Sequence, residues 1–506
     1  MLVGPILNFQ KFFNNNYVYT VLCIYKDENI PSLLYLYDDL NNSIVANINY
    51  IIKLYDTVLY IYEISLEFNL SNKCIYYFDN EPDIKYSFNI PYRNNELFFI
   101  QYSCNLKSYD MIENWKTILN DHNILQKHFM IGCGNQIYCD DVFNILSINN
   151  LFNNNDNFND LICSSELEKE IDKFYFNNYI NYLTTPYYKS IISLVPSINN
   201  WNDREIFDNY GSYSDEILNC SIIKKMFEIS KKYYLLFQHH SVNTESFFHE
   251  NNLSKFVKIN KNTTLFLLDH LSERTKTQII SKKSKEIYDE LMTKCSKKNK
   301  NVLMVIGSPI TFPNSQIVDE IKKLTNIETL SVNPIKKIFF DKNKIDNNIE
   351  ILENVEYDSW DSSNHLEERN NFCQSLINYS KNTNITILSG NINIGALCYF
   401  KFGNNKINHI ISSGIGSINN NEFNTIIENV NKDNVFTIDT NPKINYNFVE
   451  FDNNIFLKNQ NWTYLSLNNN NISAIMYYKI NNITNYYVII KNNKIIVNNN
   501  SCCSIS

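Results

Sequence analysis

Apolar and polar positions along this chain fall into three textures. Over residues 1–95 the apolar positions are β-branched and aromatic runs with partial alternation: Tyr17–Tyr25, Ser32–Tyr37, Ile51–Tyr55 and Val58–Ser65. Alternation with a period of two marks strands, and no helical stripe of about ten residues interrupts them. The expected unit is an N-terminal β-sandwich. From about residue 96 short apolar runs alternate with amphipathic stretches. Strands are predicted at Leu97–Tyr102, His128–Ile131, Ile191–Val195, Thr264–Leu268, Asn301–Ile306 and Asn384–Leu388. Helices are predicted over Asp110–Leu125, Glu166–Tyr179, Ile217–Phe237, Lys282–Cys295 and Leu366–Tyr379, with a polar loop at Phe152–Asp160. Continuous apolar strands between helices describe an α/β fold with strands buried on both faces. Strand texture returns at Val435–Ile438, Thr463–Leu467, Ile475–Ile480 and Tyr486–Ile490, ahead of a polar, frayed tail. The expected division is 1–95, 96–430 and 431–506.

Composition sharpens this picture in three ways. The chain has 506 residues, 44% of them hydrophobic, which is ample for a packed core. Its net charge of -8 argues against general nucleic-acid binding, which needs a basic stripe. Asn occurs 87 times, against 10 Gly and three Ala (Ala46, Ala396, Ala474). That bias fits codon drift in an AT-rich genome, such as that of a large DNA virus or a protist. In a Gly-poor chain, each remaining Gly is expected where no other residue fits the backbone. The 12 Cys show no zinc-site spacing, and no apolar run approaches a membrane span. A reduced, cytoplasmic protein is expected, or a virion component if the source is viral.

In α/β sheets, functional loops follow the carboxyl ends of strands. Four polar clusters occupy such places. They are Ile131-Gly-Cys-Gly-Asn-Gln-Ile-Tyr-Cys-Asp-Asp141 and Trp201-Asn-Asp-Arg-Glu-Ile-Phe-Asp-Asn-Tyr-Gly-Ser-Tyr213, then Leu267-Leu-Asp-His-Leu-Ser-Glu-Arg-Thr275 and Ile387-Leu-Ser-Gly-Asn-Ile-Asn-Ile-Gly-Ala396. Any one of them alone reads as a turn, since Asn, Asp and Gly are default turn residues.

In this order the clusters resemble the PhoD-like (alkaline phosphatase D) metallophosphatases, in their longer eukaryotic form. That pattern runs Ser-Cys-Asn, Gly-Gly-Gly-Asp-Gln-Ile-Tyr-x-Asp and Trp-Asp-Asp-His-Asp-Ile-x-Asp-Gly-x-Gly-Ser-Tyr. It continues with Leu-Leu-Asp-x-Arg-x-Glu-Arg-Thr and Leu-Ser-Gly-Asp-Val-His-x-Ala-Ala. Ser103-Cys104-Asn105 stands for the first motif. Tyr233–His240 and Gly307-Ser-Pro-Ile-Thr-Phe-Pro313 also follow the family's style. The resemblance implies two packed mixed sheets flanked by helices, with a metal centre at the strand ends that hydrolyses phosphate mono- or diesters.

The departures from the pattern carry most of the functional information. Asn135 stands where a bridging Asp is expected, and Arg204 where a phosphate-facing His is expected. Asn391 and Asn393 replace a metal-binding Asp and His, and Leu271 replaces an Arg. The resemblance leaves Cys104, Tyr138 and Asp203 as retained metal-ligand candidates, and Asp203, Arg204 and Asn135 as the degenerate catalytic positions. It gives Asp269, Glu273 and Arg274 a structural role. Hard cations need anionic oxygen or imidazole, and a neutral amide cannot bridge two of them with charge. A two-metal clamp that makes a nucleophile from water is therefore not expected. Arg204 keeps a positive charge but loses a group that titrates near neutral pH.

Two readings follow. One is a pseudo-enzyme with no metal, or one weakly bound ion, kept to bind a protein or phosphorylated ligand or to serve as structure. The other is a phosphomonoesterase or phosphodiesterase using iron or calcium on rearranged ligands such as Cys104, Tyr138, Asp140 and Asp203. His239–His240 and Cys133 with Cys139 read as satisfied core residues, and Glu205, Asp208 and Tyr213 as turn support.

Overall fold

The computed structural model describes residues 1–26, 31–38, 42–93, 96–154, 158–298, 300–312, 359–402, 405–416, 435–438, 440, 443–469, 471–480 and 483–500. Residues 155–157 of the expected polar loop, Pro313 and residues 501–506 lie outside these.

The N-terminal strands are β1 (Val3–Phe13), β2 (Asn16–Tyr25), β3 (Leu33–Tyr37), β4 (Ile44–Val45), β5 (Asn47–Leu54), β6 (Thr57–Glu67), β7 (Lys73–Phe78) and β8 (Glu81–Asn89). Next come β9 (Leu97–Tyr102), β10 (Phe129–Cys133), β11 (Ser197–Asn200), β12 (Lys255–Lys258), β13 (Thr263–Leu268), β14 (Asn301–Ile306) and β15 (Asn384–Ser389). The remainder are β16 (Gly395–Phe402), β17 (Asn405–Ser412), β18 (Val435–Ile438), β19 (Ile444–Phe448), β20 (Asn461–Asn468), β21 (Asn471–Ile480), β22 (Ile483–Lys491) and β23 (Lys494–Asn500). Helices α1 (Tyr109–Ile124), α2 (Leu146–Asn154), α3 (Ser165–Leu183), α4 (Tyr188–Leu194), α5 (Asp215–Asn219), α6 (Ser221–His239), α7 (Lys282–Lys298) and α8 (Leu366–Ser380) lie between them.

The first large sheet has the order β23-β22-β21-β20-β9-β10-β11-β1-β2-β6-β5, and the second β12-β13-β14-β15-β17-β16-β19-β18. A four-stranded sheet, β4-β3-β7-β8, covers one wing of the first. Tyr19 packs on Phe88 at 4.7 Å and Tyr62 on Phe78 at 6.0 Å across that wing. The N-terminal β-sandwich is thus present, and one of its layers is continuous with the central sheet through parallel pairing of β1 with β11. The tail strands β20–β23 extend the other side of the same sheet through β20 on β9. Pairing therefore runs across residues 95 and 430.

The apolar runs take this form because both faces of the central strands are buried. In β14, Leu303 and Val305 join Ile131, Leu265 and Leu388 between the two large sheets. Their neighbours Val302, Met304 and Ile306 join Tyr288 and Met292 of α7 and Phe372 and Leu376 of α8 on the outer face. In β10, Phe129 and Ile131 face the second sheet, and Met130 faces Trp115 and Ile118 of α1. Each such side chain contributes about 1.5–3 kcal/mol of transfer free energy.

Three local expectations are corrected. Ile191–Val195 is not a strand, since α4 spans Tyr188–Leu194. The strand that follows is Ser197–Asn200, which is polar and fully buried. The loop expected from Phe152 begins later, because α2 runs to Asn154. The polar tail is strand as far as Asn500, paired with β22. No helix among the described residues is long and apolar enough to cross a membrane.

Candidate functional site at the strand ends

Strands β9, β10 and β11 are parallel neighbours, as are β13, β14, β15 and β17, and both sets deliver loops to one end of the molecule. Gly134 makes the first turn possible. Its φ is +92°, and a Cβ there would lie 2.6 Å from the Cβ of Asn202. Cys104, Asn135, Asn391 and Asn393 follow their strands at φ of +54°, +60°, +73° and +51°. Asn accepts this left-handed conformation more readily than most residues, whereas Cys104 holds it at a cost on the order of 1–2 kcal/mol.

The loops after β10 and β11 are fastened by one carboxylate. Glu205 accepts backbone N–H groups from Asn135 (2.9 Å), Gln136 (2.5 Å), Ile137 (3.3 Å) and Asn202 (2.9 Å). Burial raises its carboxyl and the N–H donors oppose this, which leaves it at about 7. Asp203 is also buried. One of its oxygens accepts the Asn202 amide at 2.8 Å and the other the Asn209 backbone N–H at 2.9 Å. Burial raises its carboxyl, and the Arg204 charge opposes this.

The asparagines at these strand ends bond to one another. The Asn135 amide donates to Asn391 Oδ1 at 2.9 Å, and the Asn391 amide donates to Ser308 Oγ at 3.0 Å. Ser308 donates to Asn202 Oδ1 at 3.4 Å, and the Arg204 backbone N–H reaches Asn135 Oδ1 at 3.3 Å. Asn393 joins through its backbone N–H, which donates to Ser413 Oγ at 3.0 Å. Ser413 in turn lies 3.1 Å from Cys104 Sγ, which is buried and within 3.3 Å of the Asn391 carbonyl oxygen. Sequence reasoning missed Ser308 and Ser413. Their signal was positional, since Ser413 directly follows β17 and Ser308 comes two residues after the end of β14.

Arg204 is committed to carboxylates. One guanidinium nitrogen donates to Asp140 Oδ2 at 3.0 Å and the other reaches Asp208 Oδ1 at 2.8 Å. The group lies 5.4 Å from the Tyr138 ring centre, and Asp140 Oδ1 accepts the Asp208 backbone N–H at 2.7 Å. Tyr213 donates its hydroxyl to the Asp208 carbonyl at 2.9 Å.

The third cluster sits beside this site. Asp269 accepts the Trp201 indole N–H at 3.0 Å and the backbone N–H groups of Leu253, Leu271 and Ser272 at 2.6, 3.0 and 3.0 Å. Glu273 accepts from Asn252 at 3.0 Å and from Ser281 at 2.6 Å. The stem of Arg274 lies across Gly211, where a Cβ would meet it at 2.9 Å. His270 is fully buried, and burial and then the Arg274 charge lower its imidazole to about 3. His239 bonds the Tyr234 hydroxyl and His240 bonds Thr20 Oγ1, both at 2.8 Å, while Cys133 and Cys139 are buried free thiols.

A two-metal centre does not fit these donors. Asn135 and Asn391 offer neutral amides already bonded to each other, and both oxygens of Asp203 have donors. Cys104 lies with the amides, whereas Tyr138 lies with Arg204. Among the described residues no three His, Cys, Asp or Glu side chains are grouped to hold a metal ion.

Comparison with known proteins agrees with the fold. Residues 106–339 match the family described as PhoD related phosphatase. A solved structure of PhoD superposes with a TM-score of 0.56 at 11% identity, covering 99% of this chain and 92% of that one. An uncharacterized protein of Saccharomyces cerevisiae is 25% identical over 395 residues, 68% of this chain. The chain spans 56% of that relative's length.

Proposed function

Taking the chain as PhoD-like in its fold and over its matched segment, we propose that it is a phosphatase-fold protein that does not hydrolyse phosphate esters and serves a binding or structural role. The observation that supports this reading is the bonding of Asn135 to Asn391 and onward to Ser308 and Asn202. A ligating position must offer lone pairs to a cation, and here Asn391 Oδ1 receives the Asn135 amide while Asn135 Oδ1 receives the Arg204 backbone N–H. The electrostatics point the same way. A phosphate entering here would meet Asp140 and Asp208 already paired with Arg204, and would have to break both contacts. On this reading the partner is a protein or a phosphorylated ligand engaged outside the amide network, and the protein works in the cytoplasm.

The test is turnover of a chromogenic phosphodiester with added calcium, iron or manganese. Wild type stands beside a variant carrying Asn135→Asp, Arg204→His, Asn391→Asp and Asn393→His. Wild type is expected to be inert and the quadruple variant to gain metal affinity. Single reversions are expected to do little, because ligands of one centre act as a unit. Wild-type turnover at roughly 1–1000 per second would restore the hydrolase reading built on Cys104, Tyr138, Asp140 and Asp203.

A further inference from the structure

Four carboxylates stand on the two loops nearest the amide network: Asp140, Asp203, Glu205 and Asp208. Two of them, Asp203 and Glu205, are almost fully buried, at 2% and 0% exposure. Carboxylates crowded this closely need a nearby positive charge or they protonate. In a metal-loaded site that charge is the ion's own. Here the donors do not fit such an ion, and the rest of this inference depends on the non-metal reading above.

We propose that Arg204 supplies this charge from within the chain, so that the loops after β10 and β11 keep their shape without a metal. Four observations support the assignment. The guanidinium bridges the two loops, with Asp140 at 3.0 Å on one and Asp208 at 2.8 Å on the other. Asp140 completes the bridge by accepting the Asp208 backbone N–H at 2.7 Å. The Arg204 backbone ties the same loops, because its carbonyl accepts the Cys139 N–H at 2.9 Å and its N–H reaches Asn135. The Tyr138 ring lies beneath the guanidinium, where the ring quadrupole favours a cation. An Arg suits this place because its planar fork engages two carboxylates at once, whereas a Lys ammonium is a point charge. The role is one of positioning.

The test is thermal melting of the full chain, with and without EDTA, for four proteins. These are wild type, Arg204→Met, Arg204→Lys, and Arg204→Met combined with Asp140→Asn and Asp208→Asn. Wild type is expected to melt at the same temperature with and without chelator. Arg204→Met is expected to melt several degrees lower, with Arg204→Lys in between. The triple variant, relieved of two carboxylates, is expected to recover much of the loss. If Arg204→Met does not fold at all, a triple variant that does fold gives the same support. A chelator-sensitive wild type, an Arg204→Met protein that melts like wild type, or a triple variant no better than Arg204→Met would each overturn the proposal. The two ideas fail separately. Turnover by a chelator-insensitive wild type sinks the non-hydrolytic reading alone, and a chelator-sensitive melt without turnover sinks the role of Arg204 alone.

Discussion

The side chains of Asn135 and Asn391 meet at 2.9 Å, the first following a strand of the 11-stranded sheet and the second a strand of the eight-stranded sheet. This amide contact is one of the bonds that join the two layers at this end of the molecule, beside Ser308 to Asn202 and Cys104 to the Asn391 carbonyl. Its neutrality matters, because it adds no charge to a region that already holds Asp203 and Glu205.

Asn391→Ala is expected to destabilise the protein by about 1–3 kcal/mol, since it strips partners from the buried Asn135 amide and from Ser308. Asn391→Asp restores the shape but adds an acid beside buried carboxylates. Its penalty should grow between pH 5 and pH 8, as the new group is forced to ionise. Urea midpoints at the two pH values check both expectations.

Acid lability should be pronounced. All eight histidines are lowered by burial, His122, His128 and His365 to about 4 and His240, His270 and His409 to about 3. The unfolded chain takes up protons below about 6.5 while the folded chain does not, so stability falls as pH drops through that value. At pH 5 each of His240, His270 and His409 costs about 2 kcal/mol. Glu205, raised to about 7, works in the opposite sense: its contribution is present below about 4.5 and lost as pH rises through 7. Burial also raises Asp121, Asp203 and Glu368, which act in the same sense as Glu205, but the eight lowered imidazoles outnumber these carboxyls. A melting temperature that falls steadily from pH 7 to pH 5 is the expected result, and a flat profile would contradict it.

Arg274→Ala is expected to cost about 1–3 kcal/mol, through loss of the stem packed on Gly211 and of a charge that favours the Glu368 carboxylate. Arg274→Met keeps the stem and should recover the packing part. Calorimetry on the two variants separates the contributions. An Arg274→Ala protein as stable as wild type would mean that the residue is not structural.

Much of the fold could be read from the chain because β13, β14 and β15 are buried on both faces and so appear as unbroken apolar runs. The same property misled at Ile191–Val195. A five-residue apolar run fits a buried helical turn as well as a strand. The true strand, Ser-Ile-Asn-Asn at 197–200, carries no apolar pattern. Its Asn200 side chain donates an N–H to the Leu268 carbonyl at 3.0 Å, a partner that hydropathy cannot reveal. At the site, the residue types at 135, 204, 391 and 393 were legible, and with them the expectation of a weakened metal centre. That the amides bond to each other was not, because Asn135 and Asn391 are 256 residues apart in the chain.

The placement of β20 has a consequence for biosynthesis. Strand β9, which leads into Cys104, is flanked on one side by β10 and on the other by Asn461–Asn468. While the polypeptide is being made, β9 keeps one open edge until that late segment has left the ribosome. Asn461 arrives with it, and its side chain receives the Ser413 backbone N–H at 3.0 Å and gives an N–H to the Ser413 carbonyl at 2.6 Å, beside Cys104. The strand-end site is therefore assembled only after residue 461 has been made, and a nascent protein stalled before it would expose an aromatic-rich sheet edge that chaperones must cover.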